Sequence, residues 1–274
     1  MRSPSTDTRK TVIASSSAVL LAMITGCADD ATPDASSPDA TAQTAPGEVP
    51  AQWSYEGATG PQHWGELEDE FTTCSTGAAQ SPIDVPDDPV LSSEPIELDY
   101  TDADFQARDT GHTVELEATS PQNITVDGTE YTFQQMHYHA PSEHTLDGAD
   151  YAAEFHFVHQ SNDGDLAVIG VLAAEGENNP AWSPVIEAVP AAQDEDSAEV
   201  TGLTLSSLLP ESLDHYEYDG SLTTPPCSES VRWLLLQSPI ELGATQISEL
   251  RSAHSDNNRP TQPLNDREVA QIDQ

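Results

Sequence analysis

Three histidines on two neighbouring runs are the residues of this sequence best placed to do chemistry. Residues 131–139 (YTFQQMHYH) and 152–160 (AAEFHFVHQ) carry the residue types of strands. Side chains along a strand alternate between its two faces. That period puts Tyr131, Phe133, Gln135, His137 and His139 on one side of the first strand, and Ala152, Glu154, His156 and Val158 on one side of the second. Pro141 and the Asp147-Gly148 turn signal between them let the chain fold back antiparallel. His137, His139 and His156 then meet on one face. Three neutral imidazoles fixed by rigid strands leave a fourth tetrahedral position open, which is the donor set of a catalytic zinc. A histidine ligand needs its other ring nitrogen anchored. Gln135 and Glu154, each two residues from a ligand on the same face, are placed to do that.

Other segments must build a frame around these two strands. Residues 96–100 alternate as a strand. Residues 105–119 read as a strand with Gly111-His112 at its head, and residues 123–129 as one ending at the Asp127-Gly128 turn. Residues 166–173 and 231–236 are continuous apolar runs, consistent with strands buried on both faces. Residues 53–71 are loop-like with a short amphipathic piece near Glu66. Short helices are expected at 180–188, 205–209 and 246–252. There is no internal repeat. The fold class is mostly β: a single large domain over residues 52–274, built on β-sheet with short scattered helices.

The N-terminal segment reads differently. Arg2, Arg9 and Lys10 precede an apolar stretch over residues 12–24, too short to span a membrane and placed as an export signal. Ile24-Thr25-Gly26-Cys27 resembles a bacterial lipobox, which makes residues 1–26 the signal and Cys27 the lipidated first residue. An ordinary cleavage site on a soluble exported protein is the alternative. Residues 27–51, rich in Asp, Ser, Thr, Ala and Pro with no aromatic side chain, are expected to form a disordered tether. Cys74 and Cys227 remain, and two distant cysteines in an exported chain suggest one disulfide, against two unrelated thiols.

The chain carries 48 Asp plus Glu against 8 Lys plus Arg, and beyond residue 26 no lysine at all. That balance argues against nucleic acid and an anionic membrane surface as partners, both of which need basic patches. The acids are scattered and form no calcium-loop pattern. They suit a solvated surface, notably in high salt, where screening reduces self-repulsion, over the alternative of a cation-binding surface.

The His-x-His spacing also serves cupin-type oxygenases, and His137, His139 and Glu143 match part of their metal pattern. His156, with Glu154 before it, separates the readings. Over residues 53–272 the chain resembles the α-class carbonic anhydrases. The matching stretches are Trp53-Ser54-Tyr55, Gly60-Pro61-Gln62-His63-Trp64-Gly65, Gln80-Ser81-Pro82-Ile83, Gly111-His112, residues 135–139, Ser142-Glu143-His144, residues 151–159, Ser221-Leu222-Thr223-Thr224-Pro225-Pro226, Asn258-Arg259-Pro260 and Gln262-Pro263-Leu264.

The resemblance implies a large central, mainly antiparallel, twisted sheet with short peripheral helices, and Zn²⁺ at the base of a conical cleft, held by His137, His139 and His156. It implies attack of a zinc-bound hydroxide on CO₂ to give bicarbonate. Thr223 would accept a hydrogen bond from that hydroxide and donate one to Glu143, and Thr224 would touch the substrate. Val158, Val168, Leu222, Val231 and Trp233 would form the apolar CO₂ pocket. His112 would shuttle the proton out, since imidazole titrates near neutral pH, and Tyr55 would order the waters on the way. The Asn257 carbonyl would anchor His139. His63, His144 and His159 would be structural, and Cys74–Cys227 the disulfide of exported members. Two departures stand out: Ala140-Pro141 replaces Trp and Gly after the second ligand, and Thr110 replaces an Asn that orders shuttle waters. Two rivals remain: a silent relative that uses the fold for adhesion, although all three histidines are kept, and an Fe²⁺ oxidoreductase of the cupin kind, which leaves the Thr223 loop unexplained.

Overall fold

The computed structural model describes residues 52–92, 95–195 and 197–274. The export signal, Cys27 and the tether read from the sequence lie outside the described residues. Asp127 and Gly128 both take left-handed backbone, with φ of 51° and 70°. They close a two-residue hairpin between the strands Asn123–Val126 and Thr129–His139. From there the sheet grows in both directions. Its main path runs Ala198–Leu203, Ala103–Asp109, Val114–Ala118, Thr129–His139, Ala153–Ser161, Leu166–Gly176, Glu229–Leu236, His215–Ser221, Ala270–Ile272 and Val90–Ser92. Neighbours are antiparallel except where Leu166–Gly176 meets Glu229–Leu236 and Ile240–Gly243, and where Ala270–Ile272 meets Val90–Ser92.

The alternation expected along residues 131–139 is broken once. Phe133 pairs with His159 and Gln135 with Val158, so Gln134 is an extra residue and the strand carries a bulge. The bulge turns the strand over. Tyr131 and Phe133 share the core with Met136 and Tyr138, while Gln135, His137 and His139 face the other way. Tyr131 and Phe133 therefore do not lie on the histidine face, as strict period two requires. Without the extra residue, the histidines and the two aromatic rings would compete for one side. Ala152 also falls outside the second strand, which begins at Ala153.

Residues 105–119 are likewise not one strand. Ala103–Asp109 and Val114–Ala118 form a hairpin, and His112 sits on the turn between them. Gly111 has φ of 86°, and its N–H donates to Asp109 Oδ1 at 2.6 Å, a side-chain turn that only the fold reveals. The expected helix at 180–188 starts later and runs longer, over Ser183–Asp194, through Pro190. Burial of Val185, Ile186, Ala188, Val189 and Ala192 outweighs the backbone bond lost at proline. Residues 53–71 hold several short helical turns rather than plain loop.

Leu166–Gly176 is buried on both sides, as its apolar run requires. One face joins Phe155, Phe157, Ile169 and Trp182 in the larger core beneath the helices Ser183–Asp194 and Ala244–Ala253. The other supplies Val168 and Leu172 to a smaller cluster with Tyr218, Val231, Trp233 and Leu235. Cys74 and Cys227 are bonded, across 153 residues of chain. Opening a loop of that length enlarges the unfolded ensemble. The Cys74→Ser/Cys227→Ser double variant is expected to lose about 2–5 kcal/mol. Urea unfolding measures this, and an unchanged midpoint would contradict it.

Candidate metal centre

His137 and His156 are direct cross-strand partners, and His139 pairs with Glu154. Register alone thus brings three imidazoles together. Their ring centroids are 5.1, 5.0 and 4.7 Å apart for His137–His139, His137–His156 and His139–His156. One nitrogen from each lies within 4.8 Å of the others, a grouping able to hold a metal ion.

The outer nitrogens decide which atoms point inward. His137 Nδ1 lies 2.8 Å from Gln135 Oε1, His139 Nδ1 lies 2.6 Å from the Asn257 carbonyl, and His156 Nε2 lies 2.9 Å from Glu154 Oε1. An amide oxygen, a carbonyl and a carboxylate can only accept, so each ring must donate there. A neutral ring with that N–H has a lone pair on its other nitrogen. His137 Nε2, His139 Nε2 and His156 Nδ1 therefore face one another as acceptors. The 3.3 Å approach of His156 Nδ1 to His137 Nε2 sets lone pair against lone pair. His139 Nε2 and the neighbouring Glu143 Oε2 are buried without a hydrogen-bond partner. Such a set lacks a positive centre, and a soft-to-borderline dication with nitrogen donors fits it.

Burial keeps these rings neutral. It holds His137 well below the ordinary imidazole value, with the charges of His156 and His139 adding to it. Burial brings His139 to about 4 and also lowers His156. The ligating form thus persists as pH falls below 6.5. Burial acts in the opposite sense on Glu143, whose carboxyl rises to about 7. Glu143 Oε1 accepts the Arg259 N–H at 2.7 Å, and that amide and the nearby Thr223 hydroxyl both favour the charged carboxylate against burial. The Arg259 amide is a partner that pattern reading does not supply.

Glu154 is fully buried and saturated. Its oxygens accept the Glu143 and His144 amides at 2.9 and 2.8 Å, His144 Nδ1 at 2.7 Å and His156 Nε2 at 2.9 Å. Burial alone would raise its pKa, but the His144 and His156 interactions outweigh that and hold it well below the ordinary value. Gly170 stands opposite His156 on the next strand, where an added Cβ would come within 3.3 Å of Glu154 Oε1 and 2.9 Å of Leu235. His144 continues outward to the Tyr218 hydroxyl and Ser81. His159 bonds Tyr100, and His63 lies 3.6 Å from Glu66 near the surface.

A cavity of about 330 Å³ opens over the three nitrogens. Val158, Val168, Leu222 and Trp233 line one part, and Thr223 and Thr224 lie beside them. Val231 does not line it; that side chain is 1% exposed in the cluster that holds Val168 and Trp233. His112, Tyr55 and Trp53 stand along the same cavity, with the His112 ring stacked on Trp53 at 3.8 Å. The two departures noted in the sequence are accommodated. Asn257 Oδ1 accepts the Ala140 N–H at 2.8 Å, and the Thr110 hydroxyl closes the 110–113 turn on the Thr113 carbonyl at 3.0 Å.

A family model described as eukaryotic-type carbonic anhydrase matches residues 59–272. The chain belongs to that family. It is 40% identical over 216 residues to a carbonic anhydrase of Pectobacterium atrosepticum, covering 78% of this chain and 88% of the relative. A solved hyperthermostable carbonic anhydrase from a hydrothermal vent chimney superposes with a TM-score of 0.77 at 42% identity, over 81% of this chain and 100% of that one. The Thermovibrio ammonificans α-carbonic anhydrase, solved with the inhibitor sulfanilamide, gives a TM-score of 0.76 at 38% identity, over 80% of this chain and 99% of the other. As a member of the carbonic anhydrases this chain is a lyase, and its reaction is the reversible hydration of carbon dioxide.

Glu154→Ala would leave two amides and two imidazole N–H groups without an acceptor. It is expected to cost about 3–5 kcal/mol in urea unfolding. A loss below about 1 kcal/mol would mean that the carboxylate does not hold this network.

Proposed function

We propose that the reaction runs at one zinc ion held by His137 Nε2, His139 Nε2 and His156 Nδ1, with His112 carrying the proton away. The observation that supports this most directly is the set of three inward lone pairs, each fixed by an acceptor on the far side of its ring. When bound, the dication supplies the Lewis acidity that lets water ionise at neutral pH.

The chain's own residues do the rest. Thr223 points its O–H at Glu143 as a hydrogen-bond donor, so its oxygen is left as an acceptor for the O–H of the reacting water. That water then presents a lone pair, not a proton, to the carbon of CO₂. The Arg259 amide keeps the Glu143 carboxyl in place for this task. Val158, Val168, Leu222 and Trp233 offer an apolar wall to a substrate with no net charge or dipole. Thr224 stands where the polar product needs a partner. Gln135, Asn257 and Glu154 hold the rings still.

Hydration releases one proton per turnover. His112 stands on the cavity wall with its ring against Trp53, and a histidine there can take the proton and turn it out to solvent. Partial burial, more than any neighbouring charge, lowers its pKa, so the ring gives the proton up readily at neutral pH. Burial holds the Tyr55 phenol well above its ordinary value, which keeps it a hydrogen-bonding group for water beside His112. For location, we propose an exported enzyme outside the cell membrane, in the periplasm or at the cell surface, tethered at Cys27. The basic start, the short apolar run and the lipobox-like tetrapeptide support that placement.

His137→Ala is expected to reduce zinc from about one per chain to a small fraction and to lower CO₂ hydration more than about a hundredfold. Elemental analysis and stopped-flow hydration of the same preparation read both. Full activity in the variant, or iron in place of zinc in the parent, would contradict the assignment.

A further inference from the structure

His112 lines two hollows. One is the cavity over the histidines. The other is a surface groove also lined by Tyr55, Glu56, His254, Asp256 and Asn257. The groove therefore offers a second exit from the shuttle position, and it contains a second imidazole.

That imidazole is built into the fold. His254 follows the helix Ala244–Ala253, where its N–H donates to the Leu250 carbonyl at 3.0 Å. Its Nε2 lies 3.0 Å from Asp109 Oδ1. The same carboxylate oxygen accepts the Gly111 amide at 2.6 Å, inside the turn that carries His112. Asn257 Nδ2 donates to the His112 carbonyl at 3.0 Å, closing the other side of this turn. One carboxylate thus ties the second imidazole to the backbone of the first. With Nε2–H given to Asp109, the open acceptor of His254 is Nδ1.

We infer that His254, braced by Asp109, is a second relay residue that takes the proton from His112 and hands it to buffer through the groove. The inference rests on the shuttle reading of His112. The transfer balances simply: an N–H bond of His112 breaks, a His254 Nδ1–H bond forms through water in the groove, and that proton then leaves to solvent. The proton is carried on an imidazolium hydrogen-bonded to a carboxylate, which offsets its charge. The charges around His112 agree with this direction. Next to burial, the charge of His254 disfavours a charge on His112, and Asp109 opposes that effect. A charge on one of two neighbouring imidazoles disfavours a charge on the other. Glu56 and Asp256, the other charged groups lining the groove, are both acidic and draw the cationic form of a buffer toward it.

The test separates proton transfer from bracing. His254→Gln keeps an amide N–H for Asp109 but cannot carry a proton. In the zinc-loaded full chain, oxygen-18 exchange reads two rates: interconversion of CO₂ and bicarbonate, which needs no proton exit, and release of labelled water, which does. His254→Gln is expected to slow water release, and turnover in weak buffer, about threefold or more. It should leave interconversion and kcat/KM unchanged, and concentrated imidazole buffer should restore turnover. Asp109→Asn, which keeps an oxygen for Gly111 but removes the charge, should show a smaller loss of the same kind. If His112→Ala slows turnover in weak buffer while both variants match the parent, the second relay is wrong and the shuttle stands. A fall in interconversion would make His254 a structural brace and overturn the inference. If His112→Ala itself runs at the parent rate, the shuttle reading fails and takes this inference with it.

Discussion

Each of the three imidazoles gives one ring N–H to an atom that can only accept. Nearly everything else about the site follows from that constraint. A histidine ring has two nitrogens, and fixing the donor on one fixes the lone pair on the other. Two of the acceptors come from the strands themselves, two residues before the ring they hold: Gln135 for His137 and Glu154 for His156. The third, the Asn257 carbonyl, arrives from far along the chain. The three nitrogens left inside set lone pair against lone pair, an arrangement that a cation would relieve. The sheet supplies the stiffness that holds them together meanwhile.

That arrangement explains where the acids went. The chain carries 48 acidic residues, yet among the described residues only Glu143 and Glu154 are buried. Both lie against the histidines. Burying a carboxylate costs several kcal/mol unless donors surround it. Glu154 has four such donors, whereas Glu143 accepts the Arg259 amide on one oxygen, with the Thr223 hydroxyl nearby, and keeps the other oxygen unpartnered. The short segment Asn257-Asn258-Arg259 serves both ends of the site. It holds His139, clasps Ala140 and positions Glu143. Arg259 in turn donates its guanidinium to the Ser81 and Cys74 carbonyls and lies over the Trp64 ring. The disulfide, the N-terminal helical turns and the reaction site are thus one connected structure.

Much of this was legible in the residues. Alternation and turn chemistry placed the two histidine strands, the Asp127-Gly128 hairpin and the doubly buried Leu166–Gly176 strand. What failed did so for identifiable reasons. The extra residue at Gln134 cannot be seen in a pattern of apolar and polar types, because Tyr131 and Phe133 continue the alternation without a break. The turn holding His112 depends on Asp109 capturing the Gly111 amide, which is a contact and not a composition. Val231 has the residue type of a pocket wall and shares a strand face with Trp233, but it is covered within the apolar cluster and does not reach the cavity. Arg259 acts through its backbone, which carries no residue signature, and His254 meets Asp109 across 145 residues of chain.

The metal site depends on which nitrogen of each ring carries the proton. Long-range proton–nitrogen NMR of histidine-labelled protein reads this directly, both stripped of metal and loaded with zinc. The structure predicts N–H at Nδ1 of His137 and His139 and at Nε2 of His156 in both states, with the opposite nitrogen of each shifting when zinc is added. A proton on Nδ1 of His156, or no shift on adding zinc, would contradict it.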